Sequence, residues 1–332
     1  PELMTKPPCG GIIGLRKAIA THLEQFRGMH VQPEQIFVGA GTEYLYGLLI
    51  QLLGFNKKYA IENPGYEKIA AIYNSYNVKY HYIPMDEKGI LINELENSGA
   101  NVVHISPSHH FPTGIVTPIS RRYELLGWAA ASADHYIIED DYDSEFRLTG
   151  KPIPSLQSMD ITQKVIYINT FTKSLSSTMR ISYMILPPEL ANRFLEQLSF
   201  YSCTVSNFEQ YALMRFINEG YFEKHINRMR NFYHKQRDIL LDTIKKSPLS
   251  SHITIMEEDS GLHFLLKIKT ELSDSELMQR ALQKGVKLNS LSAYYHDDSN
   301  DIAAHTFIIN YSYLNTEHLS EAINVLYDCI KK

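Results

Sequence analysis

Short apolar runs alternate with helical patterns over the first two thirds of the chain. These runs have the length and composition of strands: "IFV", "YAIEN", "VKYHYIP", "VVHIS", "YIIED", "VIYIN" and "YMILP". Amphipathic patterns such as "YEKIAAIYNSY" and "RRYELLGWAAASA" lie between several of them. Apolar strands without polar alternation are typical of the buried centre of a parallel sheet, and the intervening helices cover both of its faces. The pattern therefore predicts an α/β fold with a mainly parallel, wound sheet.

A first helix precedes this sheet, and a different pattern follows it. In "GLRKAIATHLEQFRG", helical spacing and a closing Gly28 predict a helix whose apolar face is formed by Leu15, Ala18, Ile19, Leu23 and Phe26. After about residue 205, helical patterns over 207–218 and 221–245 lead into strand, helix, strand and helix. We predict a large ligand-binding domain over residues 1–205, its N-terminal residues partly an arm, and a smaller C-terminal α+β domain over residues 206–332.

The composition narrows the function classes. The chain has 332 residues, a formal net charge of −5 and a pI near 6.3, which argue against a broad nucleic-acid surface within it. Three scattered cysteines fit neither a disulfide framework nor a thiolate metal cluster, and they suit a reducing compartment. No apolar run approaches the roughly 18 residues that a membrane span needs, and the start lacks the order of a signal peptide. We expect a cytoplasmic protein with no membrane segment and no metal.

Candidate ligand-binding residues follow the strand ends, where ligands bind in wound parallel sheets. After "IFV", the turn "GAGTE" (39–43) opens a helix, and free amides at a positive helix end suit an anion such as phosphate. After "YAIEN" comes Tyr66, which would either cover a flat ring or pack in the core. After "VVHIS" come His109 and His110, which are adjacent and so cannot both face one metal from a strand.

Two further strand ends carry charged residues. The acidic run 140–145 lacks the glycine and the oxygen spacing of a calcium loop, and a carboxylate there suits a cationic ring nitrogen better. Lys173 and Arg180 lie in "TFTKSLSSTMRISY", which taken alone also resembles a solvated loop. Together, the strand ends supply groups that would bind pyridoxal phosphate. A lysine condenses with its aldehyde, an aspartate keeps its ring nitrogen protonated, a tyrosine bonds its phenolic oxygen, and an arginine holds its phosphate.

Three stretches, "SHHFPTG", "IIEDDYDSEFR" and "TFTKSLSSTMRISY", resemble fold-type I pyridoxal-phosphate enzymes of the aspartate-aminotransferase superfamily. Within it they resemble the aminotransferase-like domain of the MocR subfamily of GntR-type bacterial regulators, from about Gly11 to the C-terminus. The resemblance implies that Lys173 is the Schiff-base lysine, that Asp140 pairs with the pyridine nitrogen and that Tyr142 faces the phenolic oxygen. It implies that Tyr66 stacks on the ring. It assigns the phosphate to Arg180, Thr170 and the backbone amides around Gly41, Thr42 and Glu43.

The subfamily also implies partners. Its members join a winged helix-turn-helix to this domain and typically form head-to-tail homodimers. This chain begins almost directly at the "GLRKAIA" helix, so we expect an excised effector domain that reaches DNA only through that module.

One departure concerns the substrate carboxylate. Fold-type I aminotransferases clamp it with an arginine of the C-terminal domain, but here the last arginine is Arg280, in a helical pattern, and "FIINYSYLN" has none. Lys68 in "NPGYEK" stands where a related γ-aminobutyrate-responsive regulator has an arginine for the effector, and a lysine cannot bind a carboxylate bidentately. Transamination of an ordinary amino acid is therefore less expected than cofactor binding.

Two functions remain open. In the first, the domain binds pyridoxal phosphate through Lys173 and responds to the cofactor itself or to an amino compound, without catalytic turnover. In the second, the chain is an active aminotransferase in which Lys173 also shuttles a proton. The missing arginine favours the regulatory function, with the cofactor itself as the signal.

Overall fold

The computed structural model describes residues 2–147, 153–259, 261–296, 303–312 and 314–331. Its larger sheet consists of β1 (Ile36–Gly39), β2 (Lys58–Asn63), β3 (Lys79–Asp86), β4 (Gly89–Ile90), β5 (Val102–Ile105), β6 (Tyr136–Asp140), β7 (Val165–Thr170) and β8 (Ser182–Ile185). The spatial order is β1-β8-β7-β6-β5-β2-β3-β4. Each run that the apolar pattern marked as a strand is therefore a strand of this sheet.

The helices come mainly from the segments between these strands and after them. In chain order they are α1 (Ile13–Arg27), α2 (Thr42–Leu53), α3 (Glu67–Ser75), α4 (Ile92–Asn97), α5 (Ile119–Ala130), α6 (Leu156–Met159), α7 (Phe171–Ser174), α8 (Pro188–Leu198), α9 (Asn207–Asn218), α10 (Tyr221–Lys246), α11 (Asp274–Gln283) and α12 (Leu319–Ile330). A second, antiparallel sheet has the order β11-β10-β9, from β9 (Ile253–Met256), β10 (His263–Ile268) and β11 (Thr306–Asn310). Among the described helices, none is long and apolar enough to cross a membrane.

The direction of the strands decides which strand ends meet. Pairs β3–β2, β2–β5, β5–β6 and β6–β7 are parallel, as the pattern predicts. β8 runs antiparallel to β7, because the connection 171–181 is too short for the crossover that a parallel neighbour needs. β1 is in turn antiparallel to β8 and so points the same way as β7. The carboxyl ends of β1, β2, β5, β6 and β7 therefore share one edge.

Helix α1 packs with the C-terminal part of the chain. It ends at Gly28, whose φ of +63° is the left-handed conformation that favours glycine. Leu15 and Leu23 lie in the same buried cluster as Leu213 of α9 and other C-terminal residues. Phe26, expected on the apolar face, is instead 45% exposed. The division of the chain at residues 205 and 206 stays a prediction.

A buried ion pair ties the end of α1 to the end of β6. Arg27 Nη2 donates to Asp141 Oδ2 at 2.5 Å, and the Tyr167 hydroxyl donates to the same oxygen at 2.7 Å. Burial by itself lowers the pKa of Arg27, but the Asp141 charge outweighs it and the pKa is raised. Arg27 therefore keeps its charge, and the ion pair fixes the loop that follows β6.

Candidate cofactor site

A cavity of about 420 Å³ opens at the shared edge of the strands. The residues that the sequence singled out line it: Lys173, Asp140, Tyr142, Arg180, Tyr66, Thr170, Thr42, Glu43 and Lys68. Gly41 lies beside the lining, since a Cβ there would come within 2.5 Å of Arg180 Nη2. The fold thus brings together residues that are up to 139 positions apart (Gly41 to Arg180). Their roles toward a cofactor remain predictions.

Asp140 presents a carboxylate with one free oxygen. The Tyr46 hydroxyl donates to Oδ2 at 2.5 Å, and His104 Nε2 lies 3.7 Å from the same oxygen. Oδ1 is buried and has no hydrogen-bond partner in the described part of the chain. A buried acceptor without a partner is costly, so this oxygen suits a ligand N–H.

The N-terminus of α2 already holds an anion. Gly41 is its N-cap, with φ of +94° and no side chain to cap the first amides. The Glu43 carboxylate accepts from its own amide, pairs with Lys68, and receives Arg180 Nη2 at 2.6 Å. Burial alone would raise the pKa of Glu43, but these partners outweigh it and lower the pKa. Amides, guanidinium and ammonium therefore converge where a phosphate is expected.

Lys173 reaches the cavity from the short helix α7. The helix starts at Thr170, whose Oγ1 accepts the amide of Thr172 at 3.2 Å and the hydroxyl of Ser182 at 2.8 Å. The side chain of Lys173 is exposed to the cavity, and within the described residues no hydrogen bond or ion pair engages its amine. An unengaged amine suits condensation with an aldehyde.

Two tyrosines line the cavity, and they present an aromatic ring and a hydroxyl group to it. Tyr66 is 49% exposed at the cavity, with Phe111 edge-on at a centroid distance of 5.8 Å. Tyr142 lines the cavity, and burial together with Asp143 raises its pKa. Its hydroxyl therefore keeps its proton at neutral pH and can donate it.

The sequence reading missed several lining residues. Tyr46 lies one helical turn after Thr42, a spacing that could have placed it on the same face. Glu62 accepts the Ser106 amide at 3.0 Å, and burial raises its pKa to about 8. His104 shares a 2.8 Å hydrogen bond with the Tyr73 hydroxyl. No local pattern marks Glu62 and His104, because their partners Ser106 and Tyr73 are far away in the chain.

The acidic run after β6 is divided among separate partners. Asp140 faces the cavity, Asp141 binds Arg27, and Asp143 lies 2.8 Å from His109. In the described ranges, no group of three or more histidine, cysteine, aspartate or glutamate side chains could hold a metal ion. The three aspartates of the run therefore make separate contacts and do not form one cluster.

These observations test the fit to pyridoxal phosphate. The free oxygen of Asp140 suits the ring nitrogen, the amides near Gly41 with Arg180 suit the phosphate, and Lys173 suits the aldehyde. The absence of a side chain at Gly41 also suits a phosphate, because a Cβ there would fill the space beside the Arg180 guanidinium. The residues present therefore fit this cofactor.

Comparison with known proteins identifies several transcriptional regulators that are similar to this chain. The chain is 42% identical over 289 residues to the uncharacterized HTH-type transcriptional regulator YdeL of Bacillus subtilis, an alignment over 86% of this chain and 62% of YdeL. It is 31% identical to the probable rhizopine catabolism regulatory protein MocR of Rhizobium meliloti (94% and 62%) and 30% identical to the HTH-type pyridoxine biosynthesis transcriptional regulator PdxR of Corynebacterium glutamicum (89% and 64%). The chain thus spans under two thirds of the length of these relatives.

A solved structure shows the same fold. The kynurenine aminotransferase of Pyrococcus horikoshii superposes with a TM-score of 0.83 at 25% identity, over 99% of this chain and 82% of that chain. The similarities confirm the predicted fold-type I class and the resemblance to MocR-type regulators. Residues 2–326 match the family model for aminotransferase class I and II. The chain therefore belongs to the class I and II aminotransferase family, whose members depend on pyridoxal phosphate.

Proposed function

We propose that this chain is the pyridoxal-phosphate-binding, effector-sensing domain of a MocR-type transcriptional regulator. The observation that carries this proposal is one cavity that brings together Lys173, Asp140, Tyr142 and a single arginine among its described lining residues. Of the described residues that line it, Arg180 alone is an arginine. When bound, the cofactor supplies an aldehyde that holds amines covalently and a ring that accepts electrons.

Each lining residue has one task in this proposal. Lys173 provides the amine for covalent attachment, Asp140 Oδ1 accepts the ring N–H, and the Tyr142 hydroxyl donates to the phenolic oxygen. Tyr66 covers the ring face from the cavity mouth. The phosphate is held by the side chains of Arg180 and Thr170 and by the backbone amides around Gly41, Thr42 and Glu43.

The C-terminal part offers no clamp for a substrate carboxylate among the described residues. In β11, Ile308 is buried and Asn310 lines the cavity. Arg280 lies in α11 and donates to the Cys329 carbonyl at 3.4 Å. Lys68, the expected effector contact, is engaged by Glu43. Sustained transamination, the alternative function, therefore has less support than sensing.

The signal in this proposal is the cofactor itself or a small amino compound. Similarity to PdxR, named for pyridoxine biosynthesis, supports the cofactor as signal. We further propose that the full-length protein is a cytoplasmic homodimer that binds DNA through a winged helix-turn-helix. A ligand controls DNA binding only if it favours one arrangement of the protein over another.

Catalytic turnover distinguishes the regulatory function from the aminotransferase function. We expect the protein loaded with pyridoxal phosphate to react with a panel of amino acids at most once per site when a 2-oxo acid acceptor is present. The measurement is the amount of new 2-oxo acid per protein over time. Continued production would contradict the regulatory proposal and favour an enzyme. In the full-length protein, a gel-shift assay with and without pyridoxal phosphate tests the sensing step directly.

A second expectation concerns Glu43. Glu43→Gln should bind pyridoxal phosphate roughly fivefold more tightly, because the phosphate no longer competes with a carboxylate for Arg180; this corresponds to about 1 kcal/mol, typical of a partly exposed ion pair. Titration of the protein with pyridoxal phosphate measures it. Glu67→Gln, an exposed carboxylate of α3 outside the cavity lining, is the matched control and should leave the affinity unchanged. Weaker binding by Glu43→Gln would show that the Glu43 side chain supports the phosphate and does not compete with it, which would contradict this prediction.

A further inference from the structure

A buried histidine beside the cavity has partners that the proposed function does not use. His109 follows β5 and is 3% exposed. Its Nδ1 lies 2.8 Å from Oδ2 of Asp143, which is equally buried, and 3.2 Å from the hydroxyl oxygen of Tyr142. One imidazole nitrogen therefore stands between a carboxylate and the tyrosine that lines the cavity.

The chemistry of these groups decides where the protons are. A carboxylate only accepts, so the short contact with Asp143 places the proton on Nδ1 of His109. An Nδ1 that carries a proton cannot accept one from the Tyr142 hydroxyl. The tyrosine oxygen can share the Nδ1–H as an acceptor, and its own proton is left to donate elsewhere. Because Tyr142 lines the cavity, that donation is available to a ligand there.

The surrounding backbone holds the imidazole in place. Gly261 precedes β10 with φ of +63°, and a Cβ on it would lie 1.8 Å from Cε1 of His109. The ring of His263 lies at a centroid distance of 4.5 Å from that of His109. The Tyr311 hydroxyl donates to the Gly261 carbonyl, which secures this close approach from the C-terminal side. The imidazole is thus clamped between the loop after β5 and the start of β10.

We propose that His109, oriented by Asp143, is a positioning residue that directs the Tyr142 hydroxyl proton to the phenolic oxygen of bound pyridoxal phosphate. This inference rests on the proposed function. A donor at that oxygen stabilises its anionic form, so it lowers the pH at which the visible absorbance of the bound cofactor changes. The position of this midpoint reports the hydrogen bond without any need for turnover.

Other ionisable groups also face His109 and would act on such a midpoint. They are Asp143 and Tyr142 from the loop after β6, Glu257 from the turn after β9, His263 from β10, and the neighbouring His110. All of them are present in both variants of a matched pair at position 109. A difference in titration midpoint between the two variants therefore reports the effect of the side chain at position 109.

Asparagine and glutamine form that matched pair. An asparagine amide reproduces a donor at the Nδ1 position of histidine, whereas a glutamine amide reaches the Nε2 position. Both remove the ring packing against Gly261 to a similar degree. Spectroscopic pH titration of the loaded protein should leave the midpoint of His109→Asn near that of the wild type. His109→Gln should raise it by about half a unit, and Tyr142→Phe by about one unit.

A double variant completes the test. His109→Gln combined with Tyr142→Phe should give the midpoint of Tyr142→Phe alone, because the histidine acts through the tyrosine. Equal shifts in His109→Asn and His109→Gln, or additive shifts in the double variant, would overturn the inference, since a purely structural histidine gives those results. If the wild type forms no covalent complex that borohydride can fix, the proposed function itself has failed. If it forms one and only the position-109 pattern is absent, the inference alone has failed.

Discussion

Lys173→Ala should abolish covalent attachment of pyridoxal phosphate. Lys173 is the lysine of the cavity whose amine has no ion-pair or hydrogen-bond partner among the described residues, whereas Lys68 is paired with Glu43. Only an unprotonated, unengaged amine condenses with an aldehyde. Borohydride reduction followed by intact mass measurement should show one cofactor per wild-type chain and none on the variant.

Lys68→Ala is the matched control for this experiment. It removes the second lysine among the described residues that line the cavity and should keep the full mass increment after reduction. Noncovalent pyridoxal phosphate should still bind to Lys173→Ala, because the groups at Asp140 and Arg180 remain in place. A retained increment in Lys173→Ala, or its loss in Lys68→Ala, would assign attachment to another residue and contradict the proposed site.

Asp140→Asn should weaken pyridoxal phosphate binding by roughly 10- to 100-fold, which matches about 1.5–3 kcal/mol for a hydrogen bond to a charged group. The free Oδ1 of Asp140 is the acceptor that suits a protonated ring nitrogen. The substituted amide keeps an oxygen for the Tyr46 hydroxyl, so the fold is expected to persist. Titration of the protein with the cofactor measures the loss, and thermal unfolding checks the fold.

Tyr46→Phe distinguishes the effect of the Asp140 charge from that of the hydrogen bond that orients the carboxylate. This variant removes the hydrogen bond to Oδ2 and leaves the carboxylate in place, so its affinity should fall less than that of Asp140→Asn. A larger loss in Tyr46→Phe would mean that the orientation of the carboxylate, and not its charge, carries the binding. Unchanged affinity in Asp140→Asn would remove Asp140 from the cofactor site.

The strand-and-helix series follows from local pattern alone. The runs from "IFV" to "YMILP" are all strands of one sheet, and α9 has the bounds 207–218 that its spacing predicts. Strand ends could be searched for chemistry because parallel strands direct their carboxyl ends to a common edge. For that reason the sequence alone predicts a common site for Lys173, Asp140 and Arg180, and these residues line one cavity.

Local pattern failed where a distant segment decides the outcome. Phe26 has the helical spacing of a core residue, yet it is 45% exposed, whereas Leu23 and Met29 on either side of it are buried. β8 reads like any buried strand, and only the length of its connection makes it antiparallel to β7. The side-chain partners of Tyr46 and His109, which are Asp140 and Asp143, lie on other elements.

The sequence by itself determined the fold class and the kinds of groups at the strand ends, because periodicity and strand-end position are local properties. Only the tertiary structure determined which charged side chains form ion pairs with each other. Arg27 finds Asp141 across 114 positions, and Glu43 finds Arg180 across 137. Such pairings depend on distance and burial in three dimensions. For this reason the aspartates of one run have different partners: Tyr46 for Asp140, Arg27 for Asp141 and His109 for Asp143. The physical reason is that electrostatic and hydrogen-bond energies fall steeply with separation, which chain order does not encode.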